Sequence, residues 1–324
     1  MRELGWVSDT LWEDVARNCE YATFFHTPAW GRLFETAGLA VRRCARGFLL
    51  DDQRVAIVPA VETSIHLGGL MHGYAMTAAN VYGGVISTRR LAQWEIESIL
   101  SRLTGPRTIE LTIVENPYAP FELPRPFLAS NDFTHVLDLS AGIDQVLRGT
   151  SHGNRYSVKK AVKMGVKVRI AESLEDFKAY YAVYHDSLRR WGGSVTSRYP
   201  WQLFEAIREY AQSSEACRLW IAEVRGLVVA GALVFYWNGW HAVWWHGAGL
   251  ESYFSYSPTN LLQSEIIRDA HGCGYRWYDF NPSGGHAGVV AFKESFGAAR
   301  MRVKVSRWEN PMYHVYRRLR RLIR

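Results

Sequence analysis

The sequence is poor in cysteine and has no long hydrophobic run, and each shortage excludes a class of protein. The four cysteines form no CxxC pair and no zinc-ligand spacing, which argues against a disulfide-bonded scaffold and fits a reducing compartment. The longest apolar run, Leu227–Trp237, has 11 residues, whereas a helix needs about 20 to cross a bilayer. The N-terminal segment carries acidic residues where a signal peptide is apolar, so we expect a cytoplasmic protein.

Several common catalytic motifs are missing as well. The chain contains no GxSxG, HExxH or GxxxxGK[ST] segment, and no GxGxxG that opens a helix. The eleven histidines are scattered, and none pairs with another histidine or a cysteine at ligand spacing on one element. We therefore expect neither a metal nor a bound cofactor.

What the chain does contain is typical of a folded protein with two domains. It has 324 residues, about twice the usual single-domain length, and 48% of them are hydrophobic. Both halves run as helix, antiparallel strands, helix and strand, which predicts two mixed α/β domains with mostly antiparallel sheets. The predicted domains are 1–140 and 141–308, followed by a basic amphipathic helix over 309–324 that packs back on the body.

The spacing of apolar residues and the turn residues predict the individual elements. The predicted helices are 29–37, 89–103, 154–164, 174–191, 201–212, 259–271, 289–295 and 313–323. The predicted strands are 42–50, 54–61, 108–114, 135–139, 166–171, 218–223, 227–237, 240–248, 276–280 and 301–306. Thr27 is a capping residue followed by Pro28 at a first helical position, and the Gly-, Ala- and Asn-rich segment 67–84 is predicted to be irregular.

The net charge of +7 is concentrated in two segments. Residues 145–171 contain seven basic residues and no acid, and residues 317–324 contain five arginines. One interpretation is two solvated helix faces. The other is a surface that binds polyanions, such as phosphates, nucleic acid or anionic lipid head groups.

The most specific stretch is 249–297, where a strand, a loop, a helix ended by glycine and a second strand follow one another. This order resembles the central unit of acyltransferases that use acyl-CoA, whose loop carries glycines so that backbone N–H groups hold the coenzyme's pyrophosphate. Here the loop is 253–260, YFSYSPTN, which has no glycine and includes a proline that lacks an N–H. The sequence therefore predicts the acyltransferase architecture without the coenzyme clamp.

Four segments together resemble the FemABX-type aminoacyltransferases. They are FHTPAWGRLF near the start, GNRYSVKKAVKMGVKV, SPTNLLQSEIIRDAHGCGYRWYDF and GGHAGVVAFKESFGA, and they span most of the chain. The resemblance implies two GNAT-like acyltransferase domains in tandem and transfer of an amino acid from aminoacyl-tRNA to an amine. In the best-known members that amine belongs to a peptidoglycan precursor.

The chain also departs from the pattern of that family. No segment predicts the paired long helices of the coiled-coil arm that some members carry. The stretch 82–87 ends in Ser87, where members often have a Gly-Pro-acid run. The acceptor therefore stays open between cell-wall, surface-polysaccharide and specialised-metabolite chemistry.

Three residues near the end of the second domain are candidates for roles in the reaction. Lys293 matches the lysine of the family's FK pair and would stabilise the tetrahedral oxyanion or bind the terminal phosphate of the tRNA, unless it is a surface lysine. Phe292 would order the site by packing, or would instead be a core residue. Asp279, at the end of a strand, would orient the amine or accept its proton, or would instead cap the glycine loop that follows.

Further residues are expected to bind the two substrates. Arg155 and Lys159 lie one helical turn apart and would clamp the phosphates of the acceptor. The family resemblance implies that Arg155 and Tyr256 touch a nucleotide-linked acceptor. His26 and Trp30 would line the first-domain side of the cleft, unless Trp30 is a core residue. The predicted tRNA contacts are Lys160, Lys163, Arg317 and Arg321.

The function predicted from these observations is transfer of an aminoacyl group from aminoacyl-tRNA to the amine of a peptide-like or nucleotide-linked acceptor, which forms an amide bond. Two alternatives stay open. One is an acyl-CoA-dependent N-acyltransferase of polysaccharide or cell-envelope biosynthesis. The other is a non-catalytic module that binds polyanions through the basic helix, because one fold can carry several functions.

Overall fold

The structure is a computed structural model that describes residues 1–66, 69–124, 126–192, 198–284 and 286–313. The chain forms two compact units. The first unit contains Met1–Asp132 and the chain from Arg302 onward, and the second unit contains Phe133–Met301. The predicted domains 1–140 and 141–308 stay a prediction, and most of the predicted helix in 309–324 lies outside the described residues.

The first unit has three α-helices among its described residues, namely α1 (Asp9–Arg17), α2 (Pro28–Thr36) and α3 (Gln93–Leu103). Its strands are β1 (Arg2–Trp6), β2 (Arg42–Arg43), β3 (Arg46–Leu49), β4 (Val55–Val58), β5 (Val61–His66), β6 (Met71–Ala75), β7 (Ile86–Ser87) and β8 (Thr108–Val114). The strand β9 (Leu128–Asp138) starts in the first unit and ends in the second.

The second unit contains six described α-helices, namely α4 (Ile143–Gly149), α5 (His152–Lys163), α6 (Leu174–Trp191), α7 (Trp201–Ser213), α8 (Pro258–Gly272) and α9 (Ala287–Glu294). Its strands are β10 (Lys167–Ile170), β11 (Cys217–Val224), β12 (Leu227–Trp237), β13 (His241–Gly249) and β14 (Trp277–Asp279). The last strand, β15 (Ala299–Glu309), starts in the second unit and ends in the first.

The sheets of both units are mostly antiparallel. In the first unit the strand orders are β1-β3-β4-β7 and β15-β8-β6-β5-β2, and β6 and β8 are parallel, with Ala75 opposite Thr112. In the second unit the order is β10-β11-β12-β13-β14-β9, and β13 and β14 are parallel. Parallel neighbours need a crossover connection, which α3 supplies in the first unit and α8 in the second. The predicted fold class of mixed, mostly antiparallel α/β domains is confirmed.

Local sequence explains where several helices begin and end. Thr27 accepts a hydrogen bond from the N–H of Trp30 and precedes Pro28, so α2 starts where the capping pattern predicts. The helix α5 ends before Gly165, whose φ of 77° is left-handed and suits glycine. Capping therefore fixes these boundaries before any tertiary packing is considered.

Each unit has its own apolar core. The core of the first unit packs α3 against its strands through residues such as Ile99, Leu100 and Leu111. The core of the second unit packs α8 against β12 and β14 through residues such as Leu262, Ile266 and Tyr278. Burial of this apolar area is the main source of stability for both units.

The predicted elements 108–114, 174–191 and 227–237 are confirmed residue for residue. The prediction that 67–84 is irregular was wrong, because β6 lies within it and pairs on both edges. The predicted single strand 42–50 was also wrong. It is two strands in different sheets, because β2 pairs with β5 whereas β3 pairs with β4.

Other differences concern helices and the ends of strands. The elements β1, α1 and α4 were not predicted, and β9 starts at Leu128 rather than at residue 135. The pairing partners of β9 lie far away in the sequence, so no local pattern marks its start. No helix in the described ranges is long and apolar enough to span a bilayer.

Candidate functional site

Lys293 lies on α9 and is buried, with 2% of its surface exposed. Its Nζ donates a hydrogen bond to the carbonyl oxygen of Asn281 at 2.6 Å. The same Nζ is 5.8 Å from the centroid of the Trp244 ring, which places the cation over an aromatic face. Lys293 is therefore a buried lysine and not a surface lysine. Its amine has the polar and aromatic neighbours that a buried amine needs.

Asp279 ends β14 and is fully buried. Its Oδ1 accepts hydrogen bonds from the Thr134 hydroxyl at 2.6 Å and from the Asn281 N–H at 2.7 Å. The bond from residue i+2 is the geometry of an Asx turn, which supports the capping role. The predicted role of Asp279 as a proton acceptor stays a prediction.

Asn281 joins Asp279 and Lys293. Its N–H donates to Asp279, and its carbonyl oxygen accepts from Lys293. Its φ of 60° lies in the left-handed region, which asparagine adopts more readily than most residues. The turn therefore aims the carbonyl oxygen at the lysine, and Asp279 holds that turn in place.

His135 was not predicted as a site residue, because a single histidine on a strand has no sequence signature. It lies on β9 and is 1% exposed, and its Nε2 is 3.8 Å from Glu294 Oε1. Neither ring nitrogen has a hydrogen-bond partner among the described residues. Burial and the charge of Lys293 lower the pKa of His135, so its imidazole is neutral at pH 7.

Aromatic rings surround the lysine. Phe292 is half-buried and packs against Phe296 at 5.2 Å and Trp244 at 6.3 Å between ring centroids. Trp244 also lies across Gly247, where a β-carbon would come within 2.4 Å of the indole. The packing role predicted for Phe292 is consistent with these contacts, and its contact with substrate stays a prediction.

A bulge in β13 separates the side chains of neighbouring residues. The register with β12 shifts by one residue at Trp245, between the pairs Leu233–His246 and Val234–Trp244. Trp244 therefore contacts Phe292, while Trp245 contacts Tyr199 at 4.9 Å in the segment before α7. Bulges are common beside active sites, where they redirect side chains in this way.

Two of the segments that carry the family resemblance, GNRYSVKKAVKMGVKV and GGHAGVVAFKESFGA, meet at the end of α9. The Asn154 amide on α5 donates to the Ser295 hydroxyl at 2.9 Å, and the Ser151 N–H donates to the Ser295 carbonyl at 2.8 Å. Gly297 has a φ of 79°, and a β-carbon there would lie 2.7 Å from the carbonyl oxygen of Gly149. Only glycine fits this position, because both the conformation and the close approach exclude a side chain.

The loop before α8 is a short 3₁₀ helix, Glu251–Tyr256, followed by Ser257 in the left-handed region and Pro258 at the first helical position. The proline supplies no N–H. Three N–H groups of this loop are used within it: those of Tyr253, Ser257 and Asn260 donate to the carbonyls of Leu250, Phe254 and Ser257. The loop is therefore a closed turn rather than a row of N–H groups that faces a ligand.

The predicted acceptor residues lie on two parts of the second unit. Arg155 and Lys159 are exposed on α5, and the Arg155 guanidinium donates to the carbonyls of Arg148 and Thr150 at the end of α4. Tyr256 is half-buried, with its ring 5.5 Å from that of Tyr253. The phosphate-binding roles of Arg155, Lys159 and Tyr256 stay predictions.

The predicted tRNA contacts fall partly outside the described residues. Lys163 is exposed on α5 and Lys160 is half-buried there. Arg317 and Arg321 lie beyond residue 313 and are not described. Their contact with tRNA stays a prediction.

His26 and Trp30 are both buried in the first unit. Trp30 is 1% exposed, donates its Nε1–H to the Ala78 carbonyl at 3.1 Å and packs on Phe25 at 4.8 Å, so the structure gives it a core role. Burial lowers the pKa of His26 to about 4, and its Nδ1 accepts from the Thr23 N–H at 3.1 Å. Their contact with substrate stays a prediction.

A cavity of about 110 Å³ lies within the first unit. Its walls include His26, Tyr21, Arg90, Asn116 and Phe121. It is large enough for a few water molecules or a small ligand. Within the described ranges, no group of three or more His, Cys, Asp or Glu side chains is placed to hold a metal ion.

Comparison with known proteins adds to this geometry. Residues 150–294 match the family model described as an acetyltransferase (GNAT) domain. The crystal structure of FemX matches with a TM-score of 0.71 at 11% identity, covering 97% of this chain and 99% of that chain. No curated protein sequence matches.

Two further solved structures match over most of the chain. One is a conserved protein of unknown function from Bacteroides thetaiotaomicron, with a TM-score of 0.57 at 10% identity, covering 94% of this chain and 98% of that chain. The other is the C-terminal domain of a putative lysylphosphatidylglycerol synthetase from Agrobacterium fabrum. It matches with a TM-score of 0.55 at 12% identity, covering 94% of this chain and 93% of that chain. The chain thus has a FemABX-type tandem GNAT fold, which confirms the fold that the resemblance predicts.

Proposed function

We propose that this chain is an aminoacyltransferase that moves an aminoacyl group from aminoacyl-tRNA to the amine of a peptide-like or nucleotide-linked acceptor. The loop before α8 carries the proposal. A coenzyme pyrophosphate is held by several N–H groups that face it, but here three are used inside the turn and Pro258 has none. A donor whose acyl group is carried by tRNA does not need that clamp.

The reaction itself asks for positioning and for charge stabilisation. The amine nitrogen attacks the ester carbonyl carbon, a C–N bond forms, and the C–O bond to the tRNA ribose breaks. The ester is already activated, so the enzyme mainly brings the two reactants together and stabilises the tetrahedral oxyanion. The proton lost by the amine is balanced by the proton that the departing ribose oxygen gains.

Lys293 is the residue that we assign to the oxyanion. Its Nζ is a donor cation, and 98% of its residue surface is withdrawn from water, so its field acts at low effective dielectric. The bond to the Asn281 carbonyl fixes the position of Nζ before substrate binds. Such preorganised charge is usually the largest single contribution to catalysis of this type.

We assign Asp279 and His135 to supporting roles. Asp279 acts as a positioning residue through Asn281, because its Oδ1 holds the turn whose carbonyl oxygen binds Lys293. His135 is neutral, and its ring nitrogens make no hydrogen bond of 3.5 Å or less in the described structure, with Glu294 Oε1 3.8 Å from Nε2, so it is suited to accept the proton of the attacking amine.

The remaining site residues divide between donor and acceptor. Exposed cations on α5 suit phosphates, so we assign Arg155 and Lys159 to the acceptor, together with Tyr256. The tRNA would contact Lys160, Lys163, Arg317 and Arg321. Phe292 would pack beside the aminoacyl group. His26 and Trp30, in the first unit, would support the acceptor. The reaction would take place in the cytoplasm, where charged tRNA is made.

Two structural matches agree with this proposal. FemX shares the fold over nearly the whole chain, and the domain from Agrobacterium fabrum is named for a putative lysylphosphatidylglycerol synthetase. At 11% and 12% identity these matches support the fold, and the donor rests on the loop and the lysine.

The test uses purified protein with a pool of tRNAs charged with labelled amino acids and a panel of amine acceptors. The expected result is labelled amide product that disappears after RNase treatment. A parallel reaction replaces charged tRNA with acetyl-CoA. Product from acetyl-CoA that is insensitive to RNase, with none from charged tRNA, would contradict the proposal.

That second outcome would favour the acyl-CoA-dependent N-acyltransferase instead. One observation supports this alternative, namely the match of residues 150–294 to a family model described as an acetyltransferase domain. Binding of pantetheine against Ser257 and Asn260, detected by a crystal structure with coenzyme, would establish it.

A further inference from the structure

Glu294 stands at the end of α9, where the helix itself does not favour a carboxylate. It is the last residue of that helix and follows Lys293 directly. The partial negative charge at the C-terminal end of a helix favours cations there and opposes an anion. The position of this acid is therefore explained by its partners outside the helix.

Two side chains from other elements meet at one oxygen of Glu294. Arg300, near the start of β15, places its Nε at 2.6 Å and a terminal guanidinium nitrogen at 2.5 Å from Glu294 Oε1. His135, on β9, places its Nε2 at 3.8 Å from the same oxygen. A single carboxylate oxygen thus lies between an arginine and the buried histidine of the candidate site.

The charges around His135 come from α9, β15 and β14. Burial lowers the pKa of the imidazole, and the charge of Lys293 lowers it further, whereas the charge of Glu294 raises it and that of Arg300 lowers it. Asp279 is the charged residue of the neighbouring strand β14. Glu294 supplies the negative charge at Nε2.

We propose that Glu294 is a positioning residue for His135. Its carboxylate keeps the proton of the neutral imidazole on Nε2, which leaves the lone pair of Nδ1 for the attacking amine. Nδ1 makes no hydrogen bond of 3.5 Å or less in the described structure. The same carboxylate then stabilises the imidazolium that forms, because opposite charges about 4 Å apart attract each other more strongly when one of them is withdrawn from water.

This inference rests on the role proposed above for His135 as the proton acceptor. An N–H bond of the amine breaks and an Nδ1–H bond forms, and the same proton later passes to the ribose oxygen as the C–O bond breaks. Arg300 has two effects on this proton transfer. Its two nitrogens fix Oε1 in place, and its charge weakens the attraction between Glu294 and the imidazolium.

The first measurement needs no substrate. NMR titration of the imidazole signals gives the pKa of His135 in each variant, and His135→Gln identifies its signal by loss. Glu294→Gln should lower that pKa by about half to one unit, because a negative charge beside the ring is removed. Arg300→Gln should raise it by a similar amount, because a positive charge is removed and Glu294 remains.

The second measurement follows transfer from charged tRNA as a function of pH, with one acceptor throughout. The acid limb of kcat/KM reports the base of the free enzyme, so it should move to lower pH in Glu294→Gln and to higher pH in Arg300→Gln. At pH 7 the kcat of Glu294→Gln should fall by about tenfold with KM nearly unchanged, because the imidazolium loses its counterion during the reaction.

The matched control is Glu265→Gln on α8. Glu265 lies 4.0 Å from Arg268, and its side chain is 43% exposed, close to the 40% of Glu294. This variant should leave both the pKa of His135 and the acid limb unchanged.

Three results would overturn the proposal: no shift of either quantity in Glu294→Gln, equal shifts in Glu265→Gln, or an acid limb that stays in place while the pKa of His135 moves. Absence of transfer from charged tRNA in the unaltered protein would contradict the proposed function instead. The NMR shifts would then decide by themselves whether Glu294 acts on His135.

Discussion

The two units contain the same crossover but use it differently. In the first unit β6, α3 and β8 form a parallel pair with its connecting helix, and in the second unit β13, α8 and β14 do the same. After β8 the chain continues with Glu115 and Asn116, and after β14 it continues with Phe280 and Asn281. The architecture is shared, so any difference in chemistry must come from the side chains at the ends of these strands.

The polar groups after β8 are occupied by backbone partners. The two carboxylate oxygens of Glu115 accept from the N–H groups of Phe121 and Lys304, and Asn116 bonds to the backbone of Tyr21 and Tyr118. These bonds fasten one segment of the first unit to another.

The second unit places a cation at the corresponding position. The turn at Asn281 presents its carbonyl oxygen to Lys293, and the buried His135 lies on the neighbouring strand. The comparison teaches that one architecture can place different side chains at corresponding strand ends. We expect the buried lysine held by the turn to make the second unit the reactive one, and the four predictions below test this difference.

The largest expected effect follows from Lys293→Met, which removes the charge and keeps the length of the side chain. We expect the rate of aminoacyl transfer to fall by about 10²- to 10³-fold, because one preorganised oxyanion group is lost. The matched control is Lys304→Met in the first unit, a lysine that is 8% exposed and bonded to Glu122 at 2.7 Å. Steady-state kinetics on both variants measures the difference, and an equal loss in Lys304→Met would remove the distinction between the units.

The next effect concerns stability. Gly297→Ala places a β-carbon against the Gly149 carbonyl in a left-handed conformation, and we expect the free energy of unfolding to fall by about 2 to 4 kcal/mol. Gly288→Ala, on α9 with no described atom within 4 Å of the added carbon, should leave it unchanged or raise it. Denaturant titration separates the two, and equal values would show that the close approach is unimportant.

A smaller effect separates the carboxylates near the ends of the two parallel strands. Asp279→Asn should lower kcat by about tenfold through the Asn281 turn, which corresponds to about 1.4 kcal/mol. Glu115→Gln should lower stability but leave kcat unchanged, because its partners are backbone groups within the first unit. Activity measured at temperatures where both variants are folded gives the comparison. An unchanged kcat in Asp279→Asn would reduce Asp279 to a structural cap.

The smallest effect is on the pH dependence of stability. Burial lowers the pKa of His26 in the first unit to about 4 and that of His246 in the second to about 3. Unfolded histidine titrates near about 6.5, so the unfolded state binds more protons below that pH and stability falls as the pH decreases from about 6.5 towards 4. His246→Phe should remove about 2 kcal/mol of this loss between about pH 7 and pH 5.

The control for this prediction is Tyr180→Phe. It removes the hydroxyl bonded to His246 Nδ1 at 2.6 Å but keeps the titrating imidazole, so the slope with pH should persist. Chemical denaturation at several pH values measures the slopes. A slope in His246→Phe equal to that of the unaltered protein would mean that this histidine is not the titrating group.

Much of the fold could be predicted because it depends on local patterns. The helix Leu174–Trp191 has a capping box at Ser173 and Asp176 and apolar residues at helical spacing, and its predicted bounds are confirmed. The strand β6 could not be predicted. Its sequence, MHGYA, has no strong strand preference, and it is held by pairing with β5 and β8, which depends on residues far away in the sequence.

The candidate site could be predicted only in part. Lys293 and Asp279 stand in segments with a recognisable pattern, so the sequence singled them out. Their connection through the Asn281 turn, and the presence of His135 beside them, depend on β9 pairing with β14 across more than a hundred residues. No spacing in the sequence records that pairing.

The sequence by itself determined the helix caps, the glycine-free loop before α8 and the concentration of basic residues, because each depends on residues close together in the chain. Only the tertiary structure decided that Lys293 is buried and held by a backbone carbonyl, and that the loop uses its own N–H groups. Burial and hydrogen bonding depend on neighbours in space, and strand pairing brings those neighbours together from distant parts of the sequence.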